Sequence, residues 1–136
     1  MSIRILEPGF NVTIQDLGRA SFQHLGVPVS GAVSPVALKI GNALVGNKPD
    51  IACLEIRLIG PTIEVLCDAI RVALTGTITE IELIGENGRC RPANQSLVLK
   101  EGQKFKIGTI SDSGRAYLAI EGGFKLPEVY GSLSTY

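Results

Sequence analysis

The sequence predicts a mainly β fold that carries one short helix, and three observations point to it. Short runs rich in Ile, Val, Leu and Thr recur along the chain, separated at roughly regular spacing by turn residues, as in an all-β barrel or sandwich. One segment carries both a helical start signal and a helical stop signal. Apolar residues make up 45% of the 136-residue chain and charged residues 19%, enough for a core and too apolar for disorder.

The strands come in order. Ile3 to Leu6 and Asn11 to Gln15 flank a Pro8-Gly9 turn. Ile51 to Leu58 and Thr62 to Leu66 flank Gly60-Pro61, and Ile70 to Leu74 runs into a Thr-Gly-Thr turn. Ile78 to Ile84 alternates, with Thr79 and Glu82 on its polar face and Glu80 beside the alternation. Ser96 to Leu99, Phe105 to Ile110 and Ala116 to Ile120 complete the set, and Lys100 to Lys104 reads as a polar hairpin.

The helix is expected over 34–45. The Ser34 hydroxyl can accept from an orphan N–H of the first turn, and Pro35 fits the first helical position, where its missing N–H costs nothing. Val36, Ile40, Ala43 and Leu44 recur at helical spacing, and Gly46 suits a left-handed closing residue. Gly41 costs about 1 kcal/mol against Ala inside a helix, so it marks a close approach to another element.

The bulk numbers exclude several function classes. The 13 basic and 13 acidic residues balance and form no basic stripe, which argues against nucleic acid or anionic membrane as partners. No run approaches the ~18 apolar residues of a membrane span. Met1-Ser2-Ile3-Arg4 leads straight into a strand-like run with no secretory signal, so a cytoplasmic chain is expected. Cys53, Cys67 and Cys90 fit neither a zinc spacing nor a disulfide framework and read as reduced, mostly buried thiols; no metal is expected. The length suits one domain over 1–136.

The distinctive chemistry lies early. Gln15-Asp16-Leu17-Gly18-Arg19 could present Asp16 and Arg19 to a ligand, with the Arg fork matched to a carboxylate; an internal pair that fixes the loop is the alternative. His24 is the single histidine and could act as a general base, or serve as a hydrogen-bonded structural group. Ser30, beside Gly31 on a tight turn, could donate to a ligand oxygen or only shape the turn. Glu55 sits in an otherwise apolar run, so it must be paired or face a cavity, unless it lies at an edge facing solvent. Gly122-Gly123 and Gly131-Ser132 could offer backbone N–H groups to an anion. Neither a Gly-x-Ser-x-Gly elbow nor a phosphate-binding P-loop pattern is present.

The run PGFNVTIQDLGRASFQHLGVPVSGAVSPVALKIGNALVGN, followed by ACLEIRLIGPTIEV, RAYLAIEGGF and VYGSLSTY, resembles the subunit 2 family of allophanate hydrolase. This biotin-dependent carboxyltransferase family includes one of the subunits of bacterial 5-oxoprolinase and the KipA antagonist of a sporulation kinase inhibitor. The resemblance runs in register from Pro8 to Thr135, while family members are more than twice as long, so the chain corresponds to their N-terminal portion. It implies a cyclophilin-like β-barrel. It also implies a subunit of an ATP-dependent amidohydrolase, with 5-oxoproline to glutamate as the leading reaction. Asp16, Arg19 and His24 would be catalytic, and Gln15, Ser30, Gly31, Glu55 and Ser132 would bind substrate. ATP would be bound by the complex, not by a P-loop in this chain. The implied partners are an allophanate hydrolase subunit 1-like (KipI-like) protein and a third, LamB/YcsF-like protein.

Two alternatives follow from the same resemblance: a non-catalytic KipA-like regulator, and the carboxyltransferase part of a urea carboxylase. Without a Met-Lys-Met carrier motif in this chain, biotin is not expected on it. Three positions in two motifs depart from the family pattern. Val33-Ser34 stand where Met-Asp is usual, which keeps a cap but removes a negative charge, and Leu133 replaces an Arg, which removes an anion fork.

Overall fold

The structure is a computed structural model that describes residues 3–17, 32–110 and 115–124. Ten strands and one helix follow in the order β1 (Ile3–Glu7), β2 (Phe10–Gln15), α1 (Pro35–Leu44), β3 (Cys53–Ile59), β4 (Thr62–Val65), β5 (Ala69–Thr75), β6 (Ile81–Leu83), β7 (Cys90–Arg91), β8 (Ser96–Lys100), β9 (Lys104–Ile107) and β10 (Ala116–Ile120). They form two five-stranded sheets, ordered β1-β4-β9-β6-β7 and β2-β3-β10-β5-β8, and every pairing is antiparallel. The two sheets are not joined into a closed ring among the described residues, and their pairing is consistent with the cyclophilin-like fold. No helix of the described residues is long and apolar enough to cross a membrane.

Alternation along the strands makes the core. Leu54, Ile56, Leu74 and Leu118 point inward from the second sheet and meet Ile63 and Phe105 of the first. All six are buried. The sheets are linked at corners. β1 turns into β2 at Gly9, whose φ of 73° suits glycine, and β3 turns into β4 at Gly60. A Cβ on Gly60 would lie 2.4 Å from the Ile107 Cβ, so only glycine fits that crossing. In β2, Asn11 takes a left-handed φ of 57° where the register slips between Phe10 and Val12, a bulge that bends the strand.

Helix α1 lies on the outer face of the second sheet. Its caps match the sequence reading: the Ser34 hydroxyl accepts from the Ala37 N–H at 3.4 Å, Pro35 opens the helix, and Gly46 closes it at φ 79°. Gly41 does mark a close approach, since a Cβ there would sit 3.2 Å from the Ala119 Cβ. The apolar face is a correction. Ala37, Leu38, Gly41 and Asn42 are the buried positions, whereas Val36, Ile40 and Ala43 face outward and Leu44 is half-buried. The close approach at Gly41 sets which side of the helix meets the sheet, and Leu38 fills the space beside it.

Three further expectations are revised. Lys100 to Lys104 is not a hairpin, because β8 pairs with β5 in one sheet and β9 with β4 and β6 in the other. The expected strand from Ile78 to Ile84 shrinks to Ile81–Leu83, since the Thr77 hydroxyl accepts from the Thr79 N–H and turns the chain there. Of the three free cysteines only Cys53 is buried.

Candidate functional site

The outer face of the second sheet carries a polar row. Strand register sets Thr13 opposite Glu55, Glu55 opposite Tyr117, and Tyr117 opposite Thr75. Because side chains alternate, these residues share the face opposite the core, the face on which α1 rests. Thr75 is spent on the helix, donating from Oγ1 to the Ala37 carbonyl at 2.8 Å.

Glu55 and Tyr117 form the centre of the row. The Tyr117 hydroxyl donates to Glu55 Oε2 at 2.6 Å and accepts from the Ser34 N–H at 2.8 Å. Glu55 Oε2 also accepts from the Val33 N–H at 3.0 Å, and Oε1 faces Arg115 Nε at 3.8 Å. One residue earlier, the Ala32 N–H donates to the Asp16 carbonyl at 2.8 Å. Three successive backbone N–H groups at the entry to α1 are thus held by β3, β10 and the residue that follows β2. Glu55 is 8% exposed and Tyr117 wholly buried. A carboxylate can sit there because it accepts charge-assisted bonds and lies beside a guanidinium. Burial, and then the Glu55 hydrogen bond, push the Tyr117 phenol well above its usual range, so it stays a neutral donor. Burial likewise pushes the Cys53 thiol, under the helix, up to about 12.

The residues expected from sequence fall into two groups. Gln15, Asp16 and Glu55 are brought together at this end of the sheet, and all three are buried. Gln15 Nε2 donates to Thr13 Oγ1 at 3.1 Å. Arg19, His24, Ser30, Gly31 and Ser132 lie outside the described residues. Glu55 does not face solvent at an edge, because β3 runs between β2 and β10. Gly122 and Gly123 do not present N–H groups to an anion: Gly122 donates to Asn47 Oδ1 and Gly123 to the Ile120 carbonyl, both at 2.9 Å. Asn47 itself belongs to a structural clamp with buried Asn42, whose amide donates to the carbonyls of Pro49 and Ile51.

Tyr117 and Arg115 escaped the sequence reading. The available signal was a phenol within the apolar run Ala-Tyr-Leu-Ala-Ile, which needs a partner once buried. Among the described residues no group of His, Cys, Asp and Glu could hold a metal ion. A cavity of about 350 Å³ between edge strands β1 and β2 is lined by Ile5, Pro8, Val12, Ile14 and Leu54 and brings no titratable group to its wall. A second cavity of about 310 Å³ at the Gly9 and Gly60 corners has Glu7 and Lys106 in its wall. Among the described residues, the polar row is where a buried carboxylate, a phenol and a guanidinium meet.

The two-sheet β unit roofed by a helix has counterparts among solved structures. The chain superimposes on Kluyveromyces lactis urea carboxylase with a TM-score of 0.89 at 33% identity, covering 98% of this chain and 12% of that one. Residues 25–136 match the carboxyltransferase domain, subdomain A and B. The chain belongs to that carboxyltransferase family. It is 36% identical to a 5-oxoprolinase subunit of Escherichia coli over 98% of its length, spanning 42% of that protein. It is 34% identical to urea amidolyase of Saccharomyces cerevisiae over 99% of its length, spanning 7% of that protein. The chain thus spans less than half the length of these curated relatives.

Proposed function

We propose that the chain forms part of an ATP-dependent ring-opening amidohydrolase of the 5-oxoprolinase type and works beside an allophanate hydrolase subunit 1-like partner. The observation that carries this reading is the 36% identity to the Escherichia coli 5-oxoprolinase subunit across 98% of the chain. The chemistry of the polar row supports it. An amide substrate bearing a carboxylate calls for a fixed cation and for paired donors and acceptors. Arg115, Gln15 and the Asp16 region offer these within one face.

The reaction in this reading starts with transfer of the ATP γ-phosphoryl group to the amide oxygen, and ADP leaves. Water adds to the activated carbon, the ring C–N bond breaks and the nitrogen takes a proton. A second water releases phosphate and leaves glutamate. ATP belongs to the assembled complex in this scheme. This chain orients the substrate: Glu55 and Tyr117 fix residues 32–34, and Arg115 supplies positive charge beside them.

The test is reconstitution with the partner subunits, followed by ATP-dependent glutamate release from 5-oxoproline. Turnover is expected from the complex and not from the isolated chain, and Arg115→Ala should lower kcat/KM by about tenfold or more. Release from the chain alone would sink the hetero-partner reading. A tight partner with no turnover would favour a KipA-like regulator. The likeness to urea amidolyase and urea carboxylase favours a second reading, carboxyl transfer to an amide such as urea. Bicarbonate-dependent carboxylation of urea without glutamate release would establish it.

A further inference from the structure

Two backbone irregularities aim side chains at one corner of the molecule. In β1 the register shifts between Ile5 and Glu7, so Leu6 and Glu7 together oppose Thr62. In the β2–β3 pair it shifts again between Phe10 and Val12. The pocket of about 310 Å³ beside these bulges and the Gly9 and Gly60 turns takes apolar walls from Leu6, Phe10 and Ile59. These three are 40%, 56% and 43% exposed. Single exposed apolar residues are ordinary, but three that converge on one concavity are not.

The rest of the pocket is polar and carries both signs of charge. Register sets Glu7 opposite Thr62 and Thr62 opposite Lys106, so the three share the outer face of the first sheet. Thr62 is buried, and its hydroxyl donates to Glu7 Oε1 at 3.4 Å. Glu7 Oε2 has no donor among the described residues. Lys106 is half-buried, yet the ion pairs within 4.0 Å among the described residues are Arg4–Glu64 and Arg115–Glu55. Neither Glu7 nor Glu82, the cross-strand neighbour of Lys106, holds its ammonium. A half-buried ammonium gives up hydration without gaining a counter-charge, which favours a guest anion beside it.

We propose that this corner binds a free α-amino acid with an apolar side chain. The carboxylate of the guest lies on Lys106, its ammonium on Glu7 Oε2, and its side chain against Leu6, Phe10 and Ile59. Two strand spacings separate Glu7 from Lys106, roughly 9–10 Å at the backbone, and the two long side chains reach inward around a small zwitterion. The volume lies at the lower end of ligand pockets, about 300–1,000 Å³, so the guest is small. A peptide does not replace it, because a peptide carries its ammonium and carboxylate at opposite ends of a chain. The pocket lies on the first sheet and the polar row on the second, so the inference does not rest on the reaction proposed for that row.

Titration of the isotope-labelled full chain with L-leucine and L-phenylalanine, followed through amide chemical shifts, tests it. Saturable shifts are expected at Phe10, Thr62 and Lys106, with a Kd of about 1 mM or below. Leucinamide lacks the carboxylate and 4-methylpentanoate lacks the ammonium, so each should bind about tenfold or more weakly than leucine. Lys106→Met should weaken leucine about tenfold or more and leave leucinamide unchanged, while Glu7→Gln should weaken leucine and leave 4-methylpentanoate unchanged. Glu7 is exposed and Lys106 is in no ion pair, so each variant should shift the melting midpoint by no more than about 2 °C. No saturable shift at these amides up to about 20 mM amino acid would overturn the proposal. Equal binding of leucine and either analogue by the unmodified chain would do the same, as would unchanged leucine affinity in a folded Lys106→Met chain.

Discussion

The outer faces of the two sheets put similar side chains to opposite uses. On the first sheet, Arg4 lies opposite Glu64 and Glu64 opposite Lys104, while Glu82 lies opposite Lys106. That face looks into solvent, and its Arg4–Glu64 pair, 3.4 Å apart, has one partner 62% exposed. On the second sheet, Thr13, Glu55, Tyr117 and Thr75 form a comparable cross-strand row, but α1 and its entry cover its centre, and the Tyr117 and Thr75 hydroxyls both donate to fixed acceptors. The cover decides what the charge does. A carboxylate in water is one surface group among many; the same group under a helix becomes the fixed point on which backbone amides and a phenol depend.

The sharpest way to break this contrast is to remove one carboxylate from each face. Glu55→Ala should cost about 3–5 kcal/mol in denaturant unfolding, because Tyr117, Arg115 and the Val33 N–H all lose an acceptor in a buried place. Equal costs for Glu55→Ala and Glu64→Ala would refute the contrast. Tyr117→Phe keeps the ring and deletes one hydroxyl. It should cost about 1–3 kcal/mol and speed hydrogen exchange at the Ser34 amide.

Alkaline pH probes the same face. The Tyr117 and Cys53 pKa values are raised by folding, from 9.0 to about 12 for Cys53. Their stabilisation is complete below pH 9 and fades as pH climbs through the folded-state values. Stability should drop by about 1 kcal/mol from pH 9 to pH 10 in urea titrations. Cys53→Ala should lessen the slope; a flat profile would contradict the assignment. At the small end, Arg4→Ala should change stability by less than about 1 kcal/mol, and the effect should vanish in molar salt.

How much of this was legible in the sequence depends on distance along the chain. Ser34, Pro35 and Gly46 define the helix ends through local chemistry, so they could be read directly. Gly41 announced a close contact for the same reason. The orientation of α1 could not be read, because Val36 and Ile40 look like a core face, whereas the face on the sheet is built from Ala37, Leu38, Gly41 and Asn42 around the close approach at Gly41. Glu55 stood out as a charge in an apolar run, yet its partner lies 62 positions away on β10, and strand register carries no local mark. The Lys100 to Lys104 turn failed likewise, since sequence neighbours β8 and β9 belong to different sheets.

The corners at Gly9 and Gly60 have a kinetic consequence. A Cβ on Gly9 would lie 2.3 Å from the Ile59 carbonyl oxygen, so the two bends are pressed against one another. β1 with β2, and β3 with β4, therefore behave as one folded ribbon that supplies adjacent strands to both sheets. Neither sheet can zip up without fixing the register of the other. Protection of backbone amides should thus rise and fall together across the two sheets, as one cooperative unit formed late from distant partners and at millisecond or slower rates.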